Sequence, residues 1–467
     1  MNRLKSLVLG LGVLSMALTS CSDDDGPMYS SRTMENSELK TILMQKGYTF
    51  NEQGALLLDD LANNTTTLDL SGTGLTDFSG LEVFPNLTDL NLSNNNYGPV
   101  FDMTKLPEQI TGVDLRGNEI YDFEGLVNAS VVNDEVQTTI LRQLTKLYLP
   151  ESAKWNVEDL MPFYTKNKAD GTTIDMQMVN SKGALEEYNT LREIPDEYFR
   201  EYLKMNYSSI FVTETAIDIS KPMSIMERGN NINLWYKNQF ENIEEIKSIE
   251  GVEYFINNPY YTEFYISIGY ENPNYVYEVS YLMPGNNIRG LALLNTNSPT
   301  GINLSKSVNL VSLSLSNNES LIELDLTNTL IANQDYDKYD ASLNNLIQIS
   351  DCPNLEKIEF PNPNKHYIWS INLINLPKLK QMDLSTFNGM GFLVLINLPN
   401  TEIIYPTYLK YGQAMVDANQ SPVSLAISED VFNMPTTHDF ISNNRAELND
   451  AYASYRKKGA YKWSKYL

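Results

Sequence analysis

Three stretches of the chain repeat one spacing: LDLSGTGL (Leu68 to Leu75), LTDLNLSNNNY (Leu87 to Tyr97) and ITGVDLRGNEI (Ile110 to Ile120), with LTKLYLP (Leu144 to Pro150) following. The frame is LxxLxLxxNxL, and its central apolar position steps from Leu68 to Leu90 to Val113, by 22 and then 23 residues. A period of this length makes each unit one coil, stacked on the next because a lone coil cannot bury its apolar face. Within LxL, alternation sends both apolar side chains to one side of a short strand and the residue between them to the other. At the turn, Asn95 and Asn118 carry amides suited to bonding the backbone where the coil bends.

A second array has a halved unit. LALLNTN at Leu291, LSLSNNESL at Leu313, IQISDCPNL at Ile347, INLINLPKL at Ile371 and LVLINLPN at Leu393 share one register. Each of the first four is followed about 11 residues later by a partner strand, at Ile302, Leu324, Ile358 and Met382. The step from Leu313 to Ile347 is 34 residues, which places an insertion within residues 327–344. LTDFSGLEVF, IYDFEGLVNA and IKSIEGVEYF share a further pattern, φxxφxGφ, that links the two halves.

These frames resemble leucine-rich repeats, and the short alternating unit resembles those of Bacteroides-type surface proteins. The resemblance implies an α/β fold: a leucine-rich-repeat solenoid with parallel strands, two arrays each with a helical N-terminal cap, and a helical C-terminal cap. The first cap helix is expected at Ser37 to Lys46, with a Ser N-cap and Gly47 as stop, the second at Ile194 to Leu203 with Phe199, Tyr202 and Leu203 on one face, and a last amphipathic helix at His438 to Lys458. The expected organisation is 1–20 leader, 21–34 tether, 35–67 cap, 68–150 first array, 151–193 connector, 194–262 second cap, 263–406 second array and 407–467 C-terminal cap.

The N-terminus fixes the expected location. Arg3 and Lys5 precede a 12-residue apolar run, Leu7 to Leu18, too short for a bilayer span of about 20 residues. The following LTSC resembles a bacterial lipobox, which implies lipidation of Cys21, and the Ser22, Asp23, Asp24, Asp25 run resembles the export tag of Bacteroides-type surface lipoproteins. The expectation is a lipid-anchored protein on the outer membrane, displayed at the cell surface. The net charge of −25, or −27 once Arg3 and Lys5 are removed with the leader, disfavours nucleic acid as partner. Of two cysteines, Cys352 remains if Cys21 carries lipid, so no intrachain disulfide forms.

Catalytic signatures are missing. The chain has two histidines, His366 and His438, and no HExxH, GxSxG, P-loop, GxGxxG or CxxC motif. Cys352 aligns with Leu376 and Leu398 in the repeat frame and reads as a core thiol. The acidic run Asp335, Asp337, Asp340 lacks the Gly and Glu that an EF-hand loop needs, so no metal or cofactor site is assigned. The expected function is therefore non-enzymatic: a surface module that engages an extracellular protein or glycan, with glycan capture for an uptake system as the alternative. Candidate contacts are the outward acids Asp325, Glu359 and Asp383 of the second array. Trp235 and Tyr236 are further candidate contacts; they head an aromatic segment running to Tyr281, most of which reads as β-structure with cross-strand aromatic pairs.

Overall fold

The computed structural model describes residues 29–466 apart from 134, 224–230, 259, 262, 271, 273, 333–345, 362–366, 388 and 410–421. The leader, Cys21, the Ser22 to Asp25 run and the Asp335 to Asp340 run lie outside the described residues.

The protein is α/β, with most of its strands in parallel sheets. A six-stranded sheet stacks Thr67–Asp69, Asp89–Asn91, Gly112–Asp114, Lys146–Leu149 and Asp175–Val179 in parallel and closes with the antiparallel Leu185–Glu187. Leu68, Leu90, Val113, Leu147 and Met176 stand in one register and are buried. Parallel stacking carries each apolar side chain onto its counterpart in the next strand, so one repeated leucine becomes a continuous core column. The ladder thus runs into the segment expected as a connector.

A nine-stranded parallel sheet forms the second ladder, from Asn231–Leu234 through Phe264–Ile268, Ile288–Leu293, Ser312–Ser316, Leu346–Ser350, Tyr367–Ile374, Gly389–Ile396 and Val423–Ile427 to Leu448–Asp450. Leu291, Leu313, Ile347, Ile371 and Leu393 pair in the register the spacing predicts. The sheet extends past residues 263–406 on both sides. A four-stranded parallel sheet, Glu323–Asp325, Lys357–Glu359, Gln381–Asp383 and Glu402–Ile404, collects three of the predicted partner strands.

The helix Ser37–Gln45 buries Leu39 and Leu43, but Asn36 rather than Ser37 caps it, its Oδ1 accepting from the backbone of Glu38 and Leu39. Asp196 caps Glu197–Asn206 in the same way, and Phe199, Tyr202 and Leu203 are buried as expected. The single C-terminal helix expected at 438–458 does not form. Pro435–Asn443 is helical, and the Asn444 side chain then bonds Phe440 O and accepts from Leu409 N, ending the helix. Leu448 enters the nine-stranded sheet opposite Val423, and Tyr452 and Tyr455 pack over Val394 and Ala426 on its outer face. Burying a core leucine and capping an exposed sheet edge outweighs one further turn of helix.

Two large apolar cores result. One follows the six-stranded ladder from Met34 to Tyr188. The other follows the nine-stranded ladder to Trp463 and takes in Trp155, Val157 and Met161 from the segment that joins Lys146–Leu149 to Asp175–Val179.

Candidate binding site

The four-stranded sheet presents the candidate acids. Leu324, Ile358, Met382 and Ile403 turn inward and are buried, so their neighbours Glu323, Asp325, Lys357, Glu359, Gln381 and Asp383 turn outward. Asp325 stands opposite Glu359, and Lys357 opposite Gln381, which puts Asp383 in step on the next strand. A groove of about 840 Å³ crosses this face, lined by Glu359 and Asp383 together with Lys357, Lys380, Phe360 and Pro361.

The acids have local partners. Asp325 Oδ1 accepts from the Thr327 backbone at 2.8 Å and its hydroxyl at 2.6 Å, and Asp383 Oδ1 accepts from Ser385 N at 2.9 Å. The same turn closes after Asp69, Asn91, Asp114, Asp218 and Asn303. An aspartate in the middle of LxL followed two residues on by Ser or Thr is thus a turn device first. Lys357 Nζ sits 2.5 Å from Glu359, and that contact holds the ammonium's pKa above its ordinary value. Lys380 pairs with Glu356 and lowers that carboxyl. The face therefore carries both signs of charge around the half-buried Phe360, where the sequence suggests an unbroken acidic column.

Trp235 and Tyr236 lie elsewhere, past the first strand of the nine-stranded sheet. Trp235 Nε1 donates to Ser267 Oγ, both backbone N–H groups donate to Gln239 Oε1, and Tyr236 is exposed. Neither lines the groove of the four-stranded sheet. In the same segment Tyr254, Tyr261, Tyr270, Tyr277 and Tyr281 are buried. Cys352 is fully buried, its thiol donates to Ser350 O, and burial pushes its pKa up to about 11, which leaves it a core side chain.

The other polar concentration, which the sequence reading missed, is the junction of the ladders. Lys306 Nζ lies 2.7 Å from Asp122, 2.6 Å from Glu158 and 4.0 Å from Asp159. These carboxylate oxygens lie within 4.8 Å of one another, close enough to hold a metal ion, but the lysine ammonium already supplies the cation. Burial and the neighbouring Asp122 charge raise Asp159 well above the carboxylate range, and burial raises Glu158. Burial opposes charge on Lys306, yet Glu158 and Asp122 hold its proton above the usual lysine range. Beside this cluster Tyr121 packs on Tyr281 with ring centroids 4.9 Å apart, and Trp155 Nε1 donates to Glu250 at 3.0 Å. A cavity of about 370 Å³ opens between the ladders here. The partners are up to 184 residues apart, so no local spacing could have signalled them.

No family model, curated protein or solved structure matches this chain. Among the described residues, no helix is long and apolar enough to cross a membrane.

Proposed function

We propose that this protein is a non-enzymatic binding lipoprotein, anchored through Cys21 and displayed at the cell surface, whose ladders are coils of a leucine-rich-repeat solenoid. The observation that carries the binding reading is the groove across the four-stranded sheet. It combines ammonium, carboxylate, amide and aromatic side chains on parallel strands, and such a face suits a protein surface or a glycan rather than a single small apolar ligand. The inert Cys352 and the absence of catalytic motifs from the sequence fit a binding role rather than a covalent one.

Full-length protein carrying Cys21→Ser, applied to glycan and surface-protein arrays, tests the binding. A ligand whose retention drops when Glu359→Gln and Asp383→Asn are combined supports the groove. Retention unchanged at low salt, where charge effects are largest, removes it. In cells, Cys21→Ser is expected to release the protein from the membrane fraction. Replacing Asp23, Asp24 and Asp25 with Ala is expected to keep the anchor and lose sensitivity to external protease. Undiminished cleavage of that variant overturns the export role of the acidic run.

A further inference from the structure

Lys306, in the loop between the strands Gly301–Ile302 and Ser312–Ser316, reaches across the junction to Asp122, which opens the strand Asp122–Glu124. Its side chain is three-quarters buried, and Nζ lies 2.7 Å from Asp122 Oδ2. The carboxyl carbon is one bond further, so an amine nitrogen stands beside an acyl carbon. Asp122 is 2% exposed, and its second oxygen is already held: Asn156 Nδ2 donates to Oδ1 at 2.8 Å. Asn156 is fixed in turn, its own Oδ1 accepting from the backbone N–H groups of Asp159 and Leu160 at 2.9 and 2.7 Å.

Two further carboxyls flank the pair. Glu158 Oε1 lies 2.6 Å from Lys306 Nζ, and Asp159 Oδ2 lies 4.0 Å from it. Burial, then the charge of Asp122, keeps Asp159 protonated well above the carboxylate range, and it shares a hydrogen bond with Asp122. One ammonium thus faces three carboxyls. A buried ion pair needs only one acid, and each further one is costly to enclose. The two additional acids are the groups a condensation requires: one within reach of the amine proton, and one able to give a proton to the acyl oxygen.

We propose that Lys306 and Asp122 condense to a side-chain amide, a covalent cross-link between the two ladders, with Glu158 and Asp159 moving the protons. Nζ passes one proton to Glu158, and Asp159 gives its proton to Asp122 Oδ2. The Nζ lone pair then bonds Cγ, and negative charge collects on Oδ1, where the Asn156 N–H already points. Nζ gives a second proton to Asp159, Glu158 protonates Oδ2, and the Cγ–Oδ2 bond breaks to release water. Ammonium and carboxylate have become amide and water, so no oxidant or cofactor enters, and both flanking acids recover their starting state. Glu158 and Asp122 hold the Lys306 proton at rest, so the step is slow. It runs forward because a neutral amide replaces two buried charges, and the water leaves through the cavity that Asp122 lines. The cross-link does not rest on the binding role of the four-stranded sheet.

The test is mass spectrometry of the full chain carrying Cys21→Ser. The intact mass is expected to fall short of the sequence mass by one water. Trypsin is expected to leave Lys306 uncut and to yield a branched peptide joining it to residues 117–142, which contain Asp122. Lys306→Arg keeps a cation among the acids, but its delocalised guanidinium does not condense. That variant is expected to show the full mass and to melt about 5–10 °C lower, because a long loop of the unfolded chain is no longer closed. Glu158→Gln keeps both reacting groups and is expected to slow the loss of water about 100-fold, followed by intact mass from the time of purification. The proposal is overturned by a wild type that keeps its full mass after prolonged incubation, by a loss of water that maps to other residues, or by a loss that persists in Lys306→Arg. A Glu158→Gln variant that condenses at the wild-type rate overturns the proton relay. If Lys306→Arg fails to fold, the wild-type peptide map decides alone.

Discussion

Both ladders repeat one bend, and the residue four positions past the central apolar position has positive φ at Gly72, Asn94 and Gly117 in the first and at Asn295, Asn317, Asp351, Asn375 and Asn397 in the second. The next position separates them. In the first ladder it holds the buried amides Asn95 and Asn118; in the second it passes from Asn318 through Cys352 to Leu376 and Leu398, all buried. Asn118 Nδ2 donates to the carbonyls of Leu92 and Leu115, and its Oδ1 accepts from Asn95 and Tyr97 N, so one side chain ties two coils. In the second ladder side-chain contact between successive bends sits one residue back. Asn317 bonds Asn295 at 2.6 Å, Asn375 bonds Asp351 at 2.6 Å and Asn397 bonds Asn375 at 3.0 Å. One backbone bend therefore tolerates either an amide or a leucine beneath it, provided the exposed carbonyls find donors by one route or the other.

The largest effect should come from separating the ladders. Lys306→Met leaves Asp122 and Asp159 buried without their cation, and removing one partner of a buried ion cluster costs about 3 kcal/mol or more. Scanning calorimetry is expected to resolve two transitions in place of one, the ladders melting apart. A single, unshifted transition would mean that the junction transmits nothing.

Exchanging the slot residues attacks the comparison itself. Asn118→Leu strands two buried carbonyls and two N–H groups, and Leu376→Asn buries an amide among apolar side chains. Each is expected to cost about 3 kcal/mol in denaturant unfolding. Asn375→Ala, which removes ladder bonds near the surface and puts alanine at positive φ, is expected to cost about 1 kcal/mol. Equal losses for Asn118→Leu and Asn375→Ala would erase the distinction between the ladders.

Glu253 and Glu82 provide a subtler contrast. Because burial and the Glu250 charge push the Glu253 carboxyl up to about 8 in the folded protein, above the usual carboxylate range, the folded state holds its proton longer. The stability it contributes is present below the unfolded value and falls as pH rises towards the folded one. Glu253→Gln should match the wild type at pH 4.5 and exceed it by about 1–2 kcal/mol at pH 8.5, the full shift being discounted because the group faces an open cavity. Glu82→Gln keeps an acceptor for Gly80 N on an exposed side chain and is expected to change stability by no more than about 0.5 kcal/mol. The smallest effect is expected for Asp325→Asn with Glu359→Gln and Asp383→Asn. Asparagine retains the turn acceptor that Thr327 and Ser385 need, so melting should move by no more than about 0.5 kcal/mol.

Legibility in the sequence followed sequence distance. Leu68, Leu90 and Val113, and Leu291, Leu313, Ile347, Ile371 and Leu393, could be aligned from the chain alone. A parallel ladder repeats its own register, and alternation of side chains leaves one inward choice. Asn118 as a backbone clamp and Cys352 as core followed from the same frame. The turn role of Asp325 and Asp383 is also written there: each is the middle residue of LxL with Thr or Ser two positions on, as Asp69 is. The last coil escaped because Leu448 suits a helix face and a strand alike, and pairing with Val423 decided between them. The junction could not be read at all. Lys306 meets Asp122 and Glu158, and Glu253 comes to share a cavity with Glu119, only because two ladders dock. A repeat specifies contacts one period away, whereas the charge state of a buried carboxyl depends on whatever the folded surface brings against it.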